Sequence, residues 1–165
     1  MTFAIGALDA YLSEVAAEVM IAQFELGHAT GDGRKIVEAV QRTVPTLAIE
    51  LAIAGPDVDR SGVLRDAIVT HFYDQVSNHG AKAVASTVQR MGQSSNSVWA
   101  AVEAAGEERA QIRLDEWTEK RHAIVHRGEL PLINRGPARA CVALVQVICV
   151  AVDAVAVEAK AASQS

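Results

Sequence analysis

The chain has 165 residues and a formal net charge of −5, and half of its residues are hydrophobic although only 4% are aromatic. This length suits one domain with a sizeable core, so we expect a single all-helical domain over residues 1–165. The acidic balance argues against a nonspecific nucleic-acid binder, and the prevalence of alanine and valine favours closely packed helices over a sheet protein.

Breaks rich in glycine, proline or small polar residues divide the chain into about five to six predicted helices. The spacing of apolar residues places them at about 2–26, 34–54, 60–77, 81–91, 98–127 and 138–157. Pro45 should kink or split the second helix, and Gly106 weakens the middle of the longest one. No strand alternation stands out, so the predicted fold is an all-α helical bundle.

The cysteines and the last predicted helix bear on where the protein works. Cys141 and Cys149 lie two turns apart on one helix and cannot easily bridge each other, so we expect reduced core residues in a cytoplasmic protein. The segment 138–157 is the strongest membrane candidate, but Gln146 and Asp153 interrupt it. We interpret it as a buried core helix and expect no membrane partner.

The most distinctive stretch ends the longest predicted helix. It runs from Lys120 to Arg127 with the sequence KRHAIVHR, and Gly128 follows. A left-handed glycine cap and cations in a last helical turn are the simplest interpretation of this cluster. Residues 120–140 carry five Lys and Arg against Glu129 alone, a local charge of +4 that leaves −9 elsewhere. Such a basic patch on an acidic body is compatible with RNA binding.

Within this stretch, Arg121 to His126 (RHAIVH) resembles the Arg-polar-x-x-x-His signature of HEPN domains, all-helical proteins of which many are endoribonucleases. The segment is most similar to the RiboL-PSP type, in which a turn that often contains glycine leads from the signature into a closing apolar helix. Gly128 and the helix from about Ala138 fit those parts. The resemblance covers about residues 60–160, with a weaker likeness at 64–74 to the family's long early helix.

The resemblance implies a metal-independent endoribonuclease that attacks with the ribose 2′-hydroxyl and leaves a 2′,3′-cyclic phosphate. His126 would then transfer protons, since imidazole titrates near neutral pH. Arg121 would stabilise transition-state charge, because guanidinium stays protonated and binds phosphate oxygens through two donors. His122 fills the polar second position, and Lys120 and Arg127 would contact the RNA backbone.

One histidine per chain is half of a general acid–base pair. The resemblance therefore implies a homodimer, in which twofold symmetry brings both signatures into one cleft. It also implies an RNA substrate, an antitoxin or other regulatory protein as a partner, a role in toxin–antitoxin or antiphage defence systems, and no cofactor. Asp74 is a candidate orienting acid, with a solvated or locally paired acid as the alternative.

Other interpretations remain open. His122 and His126 at i, i+4 could bind zinc, but the glutamate of the metalloprotease motif is absent and no further ligand pair is evident. HEPN toxins paired with nucleotidyltransferase antitoxins often have a tyrosine where this chain has Gly128, so nucleotide transfer to that position is not expected. Some HEPN domains have lost catalysis, which makes a noncatalytic interaction or dimerisation module the main alternative. The last alternative is a helical regulator that binds a small apolar ligand.

Overall fold

A computed structural model of the chain describes residues 1–75, 79–129 and 134–164, apart from the side chains of Asp74 and Gln75. These residues form eight α-helices and no strand, which confirms the predicted all-α class. The helices are α1 (Thr2–Glu25), α2 (Gly31–Thr43), α3 (Leu47–Ile53), α4 (Arg60–Gln75), α5 (Gly80–Arg90), α6 (Ser95–Ala104), α7 (Ala110–Arg127) and α8 (Arg135–Ala162).

The described residues form more helices than the five to six predicted, because two predicted helices are each divided. Pro45 lacks the N–H that a helix interior needs, so α2 ends at Thr43 and α3 begins at Leu47. Gly106 has a φ of +90° and Arg109 a φ of +53°, and neither value is helical. The chain therefore turns between α6 and α7 instead of continuing as one long helix.

The larger of two buried clusters is built around α8. One face of this helix packs on α1 and α6, and its buried residues are Cys141, Leu144, Val145, Ile148, Ala151, Val152, Val155, Ala156 and Ala159. They recur every three or four positions, as a helix buried along one stripe requires. Trp99 and Trp117, both 7% exposed, join the same cluster from α6 and α7.

The opposite face of α8 is exposed, and it mixes valines with the polar residues Gln146, Asp153 and Glu158. Val150 and Val157 are 70% and 67% exposed. By length and composition alone, α8 is the one helix among the described residues that could cross a membrane, and 44% of its most apolar window is buried inside the fold. The buried part of this window is the stripe that packs inside the fold, and the interpretation of α8 as a core helix instead of a membrane span stays a prediction.

A smaller cluster joins the second half of α1 to α2, α3 and α4. Its buried residues are Ala16, Ala17, Met20, Ile21, Val40, Leu47, Ile68, Val69 and Phe72. Helix α1 therefore serves both clusters, with Ile5, Leu8 and Leu12 facing the larger one. Because its first half faces α5, α7 and α8, α1 also forms one wall of the cavity described below.

A tyrosine hydroxyl links α1 to α8. Tyr11 Oη donates to the Asp153 carboxylate at 2.6 Å and lies 3.1 Å from the Cys149 carbonyl oxygen. Further along the same helices, Lys160 pairs with Glu18. Residue numbers thus rise together on both helices, which shows that α1 and α8 run parallel.

Tyr11→Phe is expected to lower the free energy of unfolding by about 1 kcal/mol, because the hydrogen bonds of the hydroxyl are lost while the ring stays packed. Chemical denaturation followed by circular dichroism measures the change. The matched control is Tyr73→Phe, since the Tyr73 side chain is 56% exposed, and it should change stability by less than about 0.5 kcal/mol. Equal losses in the two variants would contradict the predicted role of Tyr11.

The cysteines of α8 are unbridged, as predicted. Cys141 is buried and Cys149 is half-buried, and neither forms a disulfide. Burial raises the pKa of both thiols, which keeps them protonated and weakly nucleophilic at neutral pH. They act as small packing residues of the larger cluster.

Candidate functional site

Helix α7 ends at the glycine cap that the sequence predicted. Gly128 has a φ of +65°, in the left-handed region. The N–H of Glu129 donates to the Ala123 carbonyl at 3.2 Å, and the N–H of Gly128 donates to the same carbonyl. His126 and Arg127 occupy the last turn, where cations are favoured by the exposed carbonyl groups. This cap sets the position of the cationic helix end.

Arg121 and His126 have different surroundings. The Arg121 side chain is 25% exposed, and its Nη1 lies 3.6 Å from Oδ2 of Asp9 on α1. His126 is exposed, and its ring centroid lies 4.6 Å from that of His122, which is also exposed. Five residues rotate a helical side chain by roughly 140°. Arg121 therefore turns towards the body of the protomer, whereas the two histidines stay on the surface.

The other cations of the signature make local contacts at the surface. Lys120 Nζ lies 4.3 Å from the centroid of the Trp117 ring. Arg127 pairs with Glu119 at 3.1 Å and with Glu129 at 2.9 Å. Exposed contacts of this kind contribute at most about 1 kcal/mol each. An RNA phosphate could therefore displace them at small cost.

Two further interpretations of the sequence concern Asp74 as an orienting acid and a metal ion at the histidines. Asp74 lies near the end of α4, but its side chain is outside the described part of the chain, so its orienting role stays a prediction. Among the described residues, no group of three or more His, Cys, Asp or Glu is arranged to hold a metal ion. The described partner of His126 is the His122 ring.

Arg121 lines a cavity of about 270 Å³ between α1, α4, α5 and α7. Its charged lining residues are Asp9 from α1, His79 just before α5, Arg90 at the end of α5, and Arg121. Neither His122 nor His126 is among the lining residues. Within one protomer the cavity therefore combines Arg121 with residues other than the predicted histidines.

Helix α5 owes its position to contacts at its two ends. At the start, Asp115 of α7 accepts a 2.7 Å hydrogen bond from the Ala81 N–H. A Cβ added to Gly80, whose φ is +65°, would lie 2.3 Å from that carboxylate. At the other end, the Gln23 amide of α1 donates to the Met91 carbonyl at 3.0 Å. Asp9 of α1 lies beside His79 at the start of α5, so helices α1 and α5 run parallel, and the cavity lies along the groove between them.

The Asp9 carboxylate lies beside His79 and Arg121 at one end of the cavity. Its Oδ2 lies 3.5 Å from Nδ1 of His79 and 3.6 Å from Nη1 of Arg121. Burial raises the pKa of Asp9, and the neighbouring His79 and Arg121 oppose that rise without cancelling it. Gly6 lies beside this group, and a Cβ there would sit 4.0 Å from Arg121 Nη2. The carboxylate thus holds Arg121 in place while remaining costly to ionise.

Arg90 is the second guanidinium of the cavity. Its Cζ lies 4.6 Å from the centroid of the Phe72 ring. Burial lowers the pKa of Arg90, and Asp32 partly opposes that shift. Asp32 is itself paired with Lys35 at 3.0 Å, and no carboxylate among the described side chains lies within ion-pair distance of Arg90. A half-buried cation is therefore left without a counterion of its own.

The interpretation of the sequence missed Asp9, His79 and Arg90. They lie far from Arg121 along the chain, and only the packing of α1 and α5 against α7 brings them to it. Two weak signals were available: Asp9 interrupts an apolar stretch, and His79 precedes a glycine at a predicted turn. Neither signal indicates which helices become neighbours.

Compared with protein-family models, curated proteins and solved structures, the chain matches none of them.

Asp9→Asn is expected to flatten the dependence of stability on pH. Because folding raises the pKa of this carboxyl, the folded state binds its proton more tightly than the unfolded state does. The stability that this proton contributes is fully present below about pH 3.8, the ordinary pKa of the carboxyl. It is lost as the pH rises through the higher pKa of the folded state. An asparagine cannot ionise, so this loss should disappear.

Urea denaturation at a series of pH values between about 3 and 7 measures the effect. Asp57→Asn is the control, because Asp57 lies on an exposed loop, and it should keep the dependence of the wild-type protein. An Asp9→Asn protein that loses as much stability as wild type over this range would contradict the expectation.

Proposed function

We propose that the protein is a metal-independent endoribonuclease of the HEPN type, with a site shared across a homodimer. The observation that carries the proposal is the cationic end of α7, where His122 and His126 stack at the surface with ring centroids 4.6 Å apart. Arg121 lies beside this pair in the chain and is partly exposed. A surface location allows a second copy of the same helix end to approach.

The proposed chemistry needs a proton acceptor, a proton donor and a positive charge near the phosphate. His126 acts as the acid or base, a role that accelerates such reactions by roughly 10²- to 10⁴-fold. Arg121 binds the phosphate oxygens as charge develops on them. His122 orients the His126 ring through their contact. Because one protomer offers one His126, the donor and the acceptor come from the two protomers of a twofold dimer.

A shared site also accommodates the different surroundings of the two signature residues. His126 does not line the cavity that holds Arg121, so a His126 from the second protomer would have to meet this arginine. Lys120 and Arg127 then bind the RNA backbone on either side. An antitoxin or other regulatory protein that covers this surface would inhibit the enzyme, as expected in cytoplasmic toxin–antitoxin or antiphage defence systems.

Cleavage of end-labelled RNA in EDTA tests the proposal. Transfer RNA, messenger RNA and ribosomal RNA serve as substrates, and the products should carry 2′,3′-cyclic phosphate ends. The matched control replaces the ribose at the mapped cleavage position by 2′-deoxyribose, which removes the nucleophile and should abolish the cut. RNA that stays intact both in EDTA and with added metal would overturn the proposal.

A noncatalytic interaction module is the second candidate. It is favoured by the ion pair between Arg121 and Asp9, in which the arginine is already engaged inside its own protomer and is only 25% exposed. This candidate predicts a stable dimer that leaves all three RNA classes intact. Light scattering of the purified protein, run beside the cleavage assay, distinguishes it from the enzyme.

A further inference from the structure

The cavity beside Arg121 contains more positive charge than its own carboxylate neutralises. Arg90 and Arg121 contribute two guanidinium groups, and His79 adds a third positive charge when it is protonated. Among the described lining residues, Asp9 is the one acid. The lining therefore has a net charge of +1 with neutral His79 and +2 with protonated His79. An anion is the ligand that this lining attracts.

Arg90 supports the same conclusion independently. Its guanidinium packs over Phe72, which is 3% exposed, and it has no carboxylate partner among the described side chains. Taking a cation out of water without an anion is unfavourable, because neither Coulomb attraction nor hydrogen bonds replace the lost hydration. A bound anion would supply both. Burial lowers the pKa of Arg90 because the charged guanidinium loses hydration. A bound anion would offset that loss.

The cationic groups lie at two ends of the cavity. Arg121 and His79 both contact Asp9 near the start of α5, whereas Arg90 is the last residue of that helix. Ser86 and Thr87 add hydroxyl groups on the same face of α5. A phosphate monoester carries close to two negative charges and three terminal oxygens, which can accept from several directions at once.

The volume of the cavity limits what the anion can be attached to. About 270 Å³ is slightly below the usual range for small-molecule sites, roughly 300–1,000 Å³. Walls from four helices favour a compact ligand. The exposed Tyr73 side chain at the lining offers an apolar surface for a small organic group.

We propose that this cavity binds a small phosphate monoester, with Arg90 as the phosphate-binding residue and with Arg121 and His79 at the other end of the cavity. Asp9 holds Arg121 and His79 in position and, as a negative charge, limits the affinity. The site lies within one protomer and does not require RNA cleavage, but it shares Arg121 with the proposed nuclease site. Arg90 belongs to the cavity alone, so Arg90→Gln separates the two proposals.

Calorimetric titration with inorganic phosphate and with ribose 5-phosphate tests the site. Wild-type protein should bind one equivalent with a dissociation constant of about 1 mM or tighter. Arg90→Gln should weaken binding by at least about tenfold, because it removes one charged donor pair. Asp9→Asn should tighten binding by about threefold to tenfold, since it removes the one repelling charge.

The matched control for Arg90→Gln is Arg42→Gln. Arg42 is 79% exposed and pairs with Glu38 on the surface of α2, so this change should leave phosphate affinity unaltered. Arg90→Lys provides a second variant if the glutamine disturbs folding, as judged by circular dichroism. It keeps the charge but loses the planar fork, and it should retain only part of the affinity.

Three results would overturn the proposal. The first is the absence of saturable binding of either phosphate compound at tens of millimolar. The second is an equal loss of affinity in Arg90→Gln and Arg42→Gln. The third is a short oligoribonucleotide that displaces ribose 5-phosphate at a lower concentration than the monoester itself needs, since the cavity would then be part of an RNA-binding surface.

Discussion

Replacing His126 by alanine is expected to slow RNA cleavage by about 10²- to 10⁴-fold, because the proposed site loses its proton carrier. Arg121→Ala should slow it by about 10²- to 10³-fold, since charge that develops on the phosphate is no longer stabilised. Single-turnover cleavage of one end-labelled RNA measures both rates. Both variants should remain folded, because His126 is exposed and Arg121 is partly exposed.

The controls for this experiment replace a histidine and an arginine at other positions of the chain. His28→Ala and Arg42→Ala change exposed residues outside the proposed site and should cleave at the wild-type rate. Light scattering must show that each variant keeps the oligomeric state of the wild type. If His126→Ala and His28→Ala cleave equally fast, His126 is not the catalytic residue.

Mixing the two inactive variants tests whether the site is shared. A dimer formed from one Arg121→Ala and one His126→Ala protomer keeps one His126 and one Arg121 in its shared site, whereas each variant alone lacks both copies of one residue. Partial recovery of cleavage after mixing is therefore expected. A site contained within one protomer would show no recovery, because each protomer then lacks one of the two residues.

Leu144→Ala is expected to lower the free energy of unfolding by about 3 kcal/mol, within a usual range of about 2–5 kcal/mol for such truncations. The side chain is fully buried at the centre of the larger cluster, so its removal loses apolar burial and leaves a cavity. Urea denaturation followed by helical circular dichroism measures the loss. It is large beside a typical total stability of about 5–15 kcal/mol.

Val150→Ala on the opposite face of α8 is the control. That side chain is 70% exposed, so the substitution should change stability by less than about 0.5 kcal/mol. Alanine also has the higher helix propensity, which limits any loss. Equal effects at the two positions would mean that α8 does not pack along the face that contains Leu144.

Local patterns in the sequence predicted most of the helices and the end of α7. Apolar spacing placed the helices, and Gly128 predicted a left-handed cap. Pro45 and Gly106 marked the two points at which long predicted helices are divided. These features depend on a few neighbouring residues, and that is why a single sequence contains them.

The surroundings of Arg121 could not be predicted in the same way. Its ion pair with Asp9 depends on how α1 packs against α7, and its cavity also depends on Arg90 at the end of α5. Periodicity shows which face of a helix is apolar but not which helix covers it. His79 could not be singled out from the sequence, because its proximity to Asp9 exists only after α1 and α5 have packed.

The parallel packing of α1 and α8 affects how the chain folds during synthesis. Tyr11 and Asp153 are 142 positions apart and yet in contact, so α8 must leave the ribosome before the larger cluster can close. Until then, the apolar faces of α1 and α6 have no covering helix. Exposed apolar surface on a nascent chain promotes aggregation and chaperone binding. We therefore expect slower folding and greater chaperone dependence than in bundles dominated by local contacts.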